Sequence, residues 1–367
     1  MWNKRDPIHL LRIDPISGPK RPNMKLTYFT DIHLCEGHDF RHGFERCLES
    51  MLSHQPQLLV NGGDLGITPE ALTLYDELTR EIPVPILHSN GNHEICSGYI
   101  SRQNAGTTHH STDIAGVHFA ILDLVRYFEP TLAHPANWHV LADETLLAWL
   151  EADLSDLDPQ TPLFLASHVA LSTSFPIRNG LQPGMEFPTN EVANADRVLE
   201  LLQPFNSVAT LHGHDHENCR HFVDQIEVMT TAAVAGAWWK NGLDSRCTPG
   251  REPPGYRLIE VDDDGRITNR YIPYLSPDEE PAEYFTHTPS GRRFINVYDG
   301  SPKTQVEVDD LGPLNPIDPL AESSLGLSPH FYELPADYDR ANVRTRIRFE
   351  DGRSYALELM QRSGGLE

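Results

Sequence analysis

Five short clusters of metal-ligand residue types punctuate the chain: Asp31-Ile32-His33, Gly63-Asp64, Gly91-Asn92-His93-Glu94, Ser167-His168 and Gly213-His214-Asp215-His216. Mixed imidazole and carboxylate ligation suits Mn, Fe or Zn, whereas Mg and Ca favour shells made wholly of oxygen. Asp31, Asp64, Asn92 and up to five histidines (His33, His93, His168, His214, His216) are enough donors for two divalent ions sharing a carboxylate. Two such ions about 3.5–4 Å apart form a clamp that generates a hydroxide nucleophile and neutralises charge developing on a phosphoryl group. The chemistry to which these residues point is phosphoester hydrolysis.

Each cluster follows a short run of strand formers. Strands are predicted at Lys25–Thr30, Leu58–Asn61, Val84–His88, Val117–Leu122, Leu163–Ser167 and Val208–Leu211. Between them, Phe40, Phe44, Cys47, Leu48, Met51 and Leu52 recur at helical spacing, and Pro69 opens a helix with Leu72, Tyr75 and Leu78 on one face. Asp143 can cap a helix reaching Leu154, and Glu191–Leu202 is helical by pattern. Alternation of this kind predicts a layered α/β domain whose C-terminal strand ends converge on one edge, where loops build a site. Glycines before Asp64, Asn92 and His214 are expected to let the backbone turn tightly there.

Beyond His216 the pattern is mainly strand, with Tyr256–Val261 and Arg266–Tyr274 flanking a hairpin turn at Asp263-Asp264-Gly265. Residues 1–24, with Pro7, Pro15, Pro19 and Pro22, read as an extended arm before a domain over 25–276. Residues 277–292, with Pro277, Pro281, Pro289 and an acidic run, read as a linker. Residues 293–367 read as a small all-β domain, with strands near Phe294–Tyr298, Gln305–Val308, Arg344–Phe349 and Tyr355–Met360 and a turn at Asp351-Gly352.

The ordered series D-x-H, G-D, G-N-H-E, H, G-H-x-H resembles the calcineurin-like metallophosphoesterase superfamily over roughly residues 25–276. The resemblance implies a four-layer α/β/β/α sandwich. It implies one metal on Asp31, His33 and His216, a second on Asn92, His168 and His214, and Asp64 bridging both. It makes His93 a phosphoryl hydrogen-bond donor or the acid that protonates the leaving group. That role suits an imidazole, which titrates near neutrality. Ile67 stands where purple acid phosphatases carry a Tyr, and Gly63-Asp64-Leu65-Gly66-Ile67-Thr68 departs from the G-D-x-x-D-R-G of protein Ser/Thr phosphatases. Ala235-Gly236-Ala237-Trp238-Trp239, Pro254-Gly255-Tyr256 and Phe294–Pro302 are similar to bacterial members with an extra C-terminal β-domain.

The chain of 367 residues carries 29 Lys+Arg against 53 Asp+Glu, a net charge of −24, which speaks against nucleic-acid polymers and anionic membrane surfaces as partners. A small anionic phosphoester remains open, because bound cations reverse the local field. No Arg or Lys lies within two residues of the eight motif positions, which tilts the reading to a phosphodiesterase acting on small diesters by attack of a metal-bridging hydroxide. A phosphomonoesterase acting on a sugar phosphate or nucleotide is the alternative, and a non-catalytic partner platform the third. The longest apolar run, Val228–Trp239, is too short to span a bilayer, and the N-terminus has no apolar signal region. With an odd number of cysteines and no C-x-x-C pair, a cytoplasmic protein is expected.

Neighbouring residues have plainer expectations. Trp238 and Trp239 are read as packing between the core and the following strands, with a stacking face for a substrate ring as the alternative. Cys35 and Cys96 are read as buried thiols and His109-His110 as a solvated loop. His212 is read as orienting a ligand, and Glu94 either as orienting His93 or as a surface carboxylate.

Overall fold

A computed structural model of the chain describes residues 23–95, 109–128, 138–181, 188–240, 248–276 and 278–362. Strand and helix alternate through β1 (Met24–Phe29), α1 (Phe40–Ser53), β2 (Leu58–Asn61), α2 (Pro69–Thr79), β3 (Ile86–His88) and the single turn α3 (Asn92–Ile95). Next come β4 (His110–Ile114), β5 (Val117–Ile121), the small ribbon β6 (Val125–Tyr127) and β7 (Trp138–Val140), and α4 (Glu144–Leu154). The series continues with β8 (Leu163–Ala166), α5 (Phe175–Arg178), α6 (Ala195–Leu202) and β9 (Val208–His212). Four strands follow: β10 (Cys219–Val223), β11 (Ile226–Thr230), β12 (Gly255–Val261) and β13 (Ile267–Pro273). Local chemistry sets the helix starts. Thr68 accepts from the Ala71 amide ahead of Pro69, and Asp143 accepts from the Leu146 amide at 2.9 Å.

Two mixed sheets stack. One has the order β13-β12-β1-β2-β3 and the other β10-β11-β9-β8-β5-β4. Successive strand residues point to opposite faces, so each strand serves two layers. Leu26, Tyr28, Leu58 and Val60 pack against Phe119, Ile121, Phe164 and Leu211 between the sheets. Phe29 and Leu59 turn the other way, onto Phe44, Met51, Leu72 and Tyr75 of the first helix layer. Ala120, Leu163 and Leu165 meet Leu146, Leu150, Val198 and Leu202 of the second. This is the expected α/β/β/α sandwich. Among the described residues no helix is long and apolar enough to cross a membrane. Val228–Trp239 instead supplies part of β11 and a loop whose Val234 and Ala235 enter the core.

The remaining strands, β14 (Ala282–His287), β15 (Arg292–Val297), β16 (Gln305–Val308), β17 (Gly312–Leu314), β18 (Phe331–Glu333), β19 (Asn342–Arg348) and β20 (Ser354–Arg362), form a seven-stranded near-barrel. The expected linker over 277–292 needs correction. Its residues Ala282–His287 are an interior strand, paired with β15 on one side and β20 on the other. This strand is buried along nearly its whole length, so it lacks the polar alternation that would have marked it. His110, expected in a loop, likewise belongs to β4 and pairs with Ile121. The arm expected over 1–24 lies outside the described residues up to 22, and Met24 already belongs to β1.

Asp299 welds the near-barrel to the sandwich. It accepts from Arg257 Nη1 at 2.6 Å, Arg353 Nη2 at 3.2 Å and the Tyr271 amide at 3.1 Å, with Arg220 Nη1 3.8 Å away. Burial alone would raise its pKa, but Arg220, Arg257 and Arg353 bring it down to about 2. Asp299→Ala leaves buried guanidinium groups uncompensated and is expected to cost about 3–5 kcal/mol in urea unfolding. The folded value lies below the ordinary carboxylate range of about 3.9. The wild-type advantage over this variant is therefore full above about pH 5 and shrinks as pH falls towards 2. Equal stability of the two proteins at pH 7 would refute this role.

Candidate metal centre

The loops after β1, β2, β3, β8 and β9 meet at one edge of the stacked sheets and are laced together by backbone bonds. The Asp31 amide donates to the Gly63 carbonyl at 3.0 Å, and the Ile32 and His33 amides donate to the Asp64 carbonyl at 2.9 and 3.1 Å. The Gly213 amide donates to the His168 carbonyl at 2.8 Å. Inside this lacing, Asp31 (φ 54°), His33 (47°), Asp64 (56°), His214 (69°) and His216 (57°) all take the left-handed backbone that side chains disfavour. The tight turning expected of the glycines is seen at Gly63 (φ 103°) and otherwise falls on the candidate ligands themselves. Gly91 and Gly213 serve close approach instead, since a Cβ at either would collide with the carboxylate of Asp64 or Asp31 respectively.

A third donor group, His33, Glu36 and His93, lies beside two that contain an aspartate. Asp31, His33 and His216 bring ligand atoms within 4.8 Å of one another, and so do Asp64, His168 and His214. Asp64 reaches across both, with Oδ2 at 3.2 Å from His168 Nε2 and 3.9 Å from His33 Nε2. Asp31 Oδ1 lies 3.2 Å from His216 Nε2. The His93 amide donates to Asp64 Oδ1 at 3.0 Å, and its Nε2 stands 3.8 Å from Asp64 Oδ2. Asn92 is buried, with Oδ1 lacking any hydrogen-bond partner.

Both carboxylates are buried, and among the described residues neither pairs with Lys or Arg. Buried carboxylates of this kind demand positive charge. Burial works to lower the His93 and His168 pKa values, but Asp64 and its neighbours lift them to about 9 and about 10. Burial pushes His214 down to about 3. A cation between the two groups satisfies the same demand. The donor set fits one: Asn92 Oδ1 has no hydrogen-bond partner, and His168 Nδ1 is fixed 2.9 Å from the Gly62 carbonyl, which turns Nε2 inward towards Asp64. His33 Nε2 and His216 Nε2 are 3.0 Å apart, the spacing of adjacent donors about 2.1 Å from one ion.

Several surrounding residues differ from expectation. Glu94 is neither at the surface nor aimed at the His93 ring. It is buried, and its carboxylate accepts from the amides of Asp64 at 3.0 Å, Gly91 at 2.5 Å and Leu65, clamping the second loop to the third. Burial, then the Asp64 charge, raises its pKa to about 7. His212 bonds the Ser167 carbonyl and Thr210 Oγ1 and so braces the residue before His168. Cys35 is exposed, because the loop turns outward there at φ 66°, and Cys96 lies outside the described residues.

The two adjacent tryptophans part company. Trp239 is buried with Nε1 donating to the Ile32 carbonyl at 2.7 Å, whereas Trp238 stacks on His33 at 4.1 Å and lies 5.0 Å from His216 and 5.3 Å from His93. Glu36, Asn190 and Trp138 also border the centre and belong to no motif. Asn190 Nδ2 is 3.1 Å from His214 Nε2, Trp138 meets the His214 ring edge-on at 5.7 Å, and Glu36 contacts both His33 and His93.

Residues 24–218 match a model of the calcineurin-like phosphoesterase family. No curated protein matches the chain. Similar solved structures include a dimetal phosphatase from Danio rerio, 16% identical at a TM-score of 0.48, over 68% of this chain and 99% of that one. A purple acid phosphatase from yellow lupin (Lupinus luteus) seeds is 13% identical at 0.48, over 71% of this chain and 53% of that one. The structure of PhoD is 11% identical at 0.46, over 96% of this chain and 75% of that one.

Proposed function

Because the chain belongs to the calcineurin-like phosphoesterase family, we propose that it is a dinuclear metal-dependent hydrolase of small-molecule phosphodiesters. In this reading Asp31, His33 and His216 hold one ion, Asn92, His168 and His214 hold the other, and Asp64 serves both. The observation that carries it is the pair of donor groups within reach of one shared carboxylate. Two divalent ions, Mn, Fe or Zn by the mixture of imidazole and carboxylate donors, supply Lewis-acid activation of water and take up phosphoryl charge.

The chain's own groups do the rest. Asp64 Oδ1 anchors the His93 amide, so the imidazole is held beside the centre with Nε2 free to donate. A proton delivered from that atom meets the alkoxide as it leaves. Glu94 keeps the loops of Asp64 and His93 in register by binding three amides at once. Preference for diesters is supported by the lack of any Lys or Arg paired with the two aspartates among the described residues, since a monoester brings a further negative charge.

The test is a side-by-side rate measurement on bis-p-nitrophenyl phosphate and p-nitrophenyl phosphate after loading with Mn²⁺. Faster turnover of the diester is expected. A monoester preference would make the protein a phosphatase, and inactivity on both with two ions bound would overturn the catalytic reading.

A further inference from the structure

Glu36 stands three residues after His33, outside every motif. Its Oε1 lies 3.2 Å from His33 Nδ1 and 3.5 Å from His93 Nδ1, one oxygen facing the same atom of two rings. His93 Nδ1 is buried and makes no hydrogen bond, with the Glu36 oxygen facing it. The far nitrogens of both rings turn to the centre, His33 Nε2 to within 3.9 Å of Asp31 Oδ1 and Asp64 Oδ2, and His93 Nε2 to within 3.8 Å of Asp64 Oδ2. The rings meet edge to face at 4.7 Å, and Trp238 covers both. The Glu36 side chain is only 13% exposed, and among the described residues it pairs with these two imidazoles and with no Lys or Arg.

A carboxylate that accepts from one nitrogen of an imidazole fixes the proton there and frees the other nitrogen to ligate or donate. Here one carboxylate is hydrogen-bonded to a candidate metal ligand and faces the same atom of the candidate proton donor at 3.5 Å. We propose that Glu36 is a positioning residue that ties His33 to His93, so that ion binding at the first group and proton delivery are set by one side chain. This rests on the dinuclear reading above. Contact with His93 at 3.5 Å is long, as hydrogen bonds of catalytic groups are before substrate closes the site. Turning His33 toward its ion shifts Glu36, and with it the ring of His93.

The test compares full-length wild type with Glu36→Gln and Glu36→Asp after metal removal and titration with Mn²⁺. Ion number and affinity are read by equilibrium dialysis with elemental analysis, and rates are measured on diesters with p-nitrophenolate and alkyl leaving groups. Glu36→Gln is expected to weaken one of two ions by roughly 10–100-fold and to leave the other near wild type. Its rate loss should be greater for the alkyl leaving group, because a misaligned His93 matters most where a proton is needed. Glu36→Asp should recover part of both effects, and the melting temperature of each metal-free variant should stay near that of metal-free wild type. Two ions held at wild-type affinity by Glu36→Gln, or equal rate losses for both leaving groups, would overturn the proposal. Three ions in wild type and two in the variant would also overturn it, making Glu36 a ligand. A wild type that takes up no ion removes the dinuclear reading itself, and that result is visible before any variant is compared.

Discussion

Asp64→Asn is expected to empty both candidate metal groups and to lower turnover by about a thousandfold or more, the equivalent of several kcal/mol of lost charge stabilisation. Asparagine separates charge from shape. It tolerates the left-handed backbone of position 64 as well as aspartate does, and it can still accept from the His93 amide. The backbone carbonyl that receives the Ile32 and His33 amides is unchanged, so the lacing of the loops survives. What disappears is the carboxylate 3.9 Å from His33 and 3.2 Å from His168, which leaves Asp31 3.9 Å from each of them. The metal-free variant is expected to melt somewhat lower than metal-free wild type, because without ions the Asp64 carboxylate offsets positive charge on His168 and His93. Elemental analysis after gel filtration and a rate on the preferred ester check the two halves. Retention of two tightly held ions with a rate within tenfold of wild type would refute the shared carboxylate.

His93→Ala should separate binding from proton delivery. The ring is not a member of either three-residue group that contains Asp31 or Asp64, so both ions are expected to stay. General acid assistance is worth roughly 10²–10⁴-fold for a leaving group that needs a proton. The loss should approach that range for alkyl esters and shrink to tenfold or less, by order of magnitude, for p-nitrophenolate, which departs without one. A plot of log rate against leaving-group pKa is therefore steeper for the variant than for wild type. Parallel lines would remove the acid role and leave His93 as a hydrogen-bond donor to the phosphoryl oxygens.

The strands that carry the site were readable because each is a short run of β-formers ending in a polar cluster, and β2 and β16 have the boundaries expected of them. Boundaries blurred where tertiary packing decided them. The helix expected from Glu191 begins at Ala195, and the strand expected from Val84 begins at Ile86, after Pro85, which has no amide to give a ladder. The supporting residues of the centre were less legible. Glu36 carries one usable signal, its H-x-x-E spacing from His33, but loops without periodicity do not say which way such a side chain turns. Glu94 sits inside a motif and still misleads, since its contacts are amides of the Asp64 loop and of Gly91 in its own. Trp238 and Trp239 are adjacent and alike in sequence, and only the consecutive left-handed backbone at φ 61° and 55° sends one ring to the core and the other to the histidines.

The backbone of the candidate ligands also fixes an order of assembly. Five of them sit in conformations that cost roughly 1–2 kcal/mol each in a free chain. Pairing of β1 with β2 and the hydrogen bonds between their loops hold a segment such as Asp31–His33 in its shape against that cost. Ions are therefore expected to meet a finished cup rather than to gather an unfolded chain around themselves, unlike small domains that are unfolded without their metal. Biogenesis of this protein would place metal supply after folding, and a metal-starved cell would accumulate folded, loadable protein rather than misfolded chains.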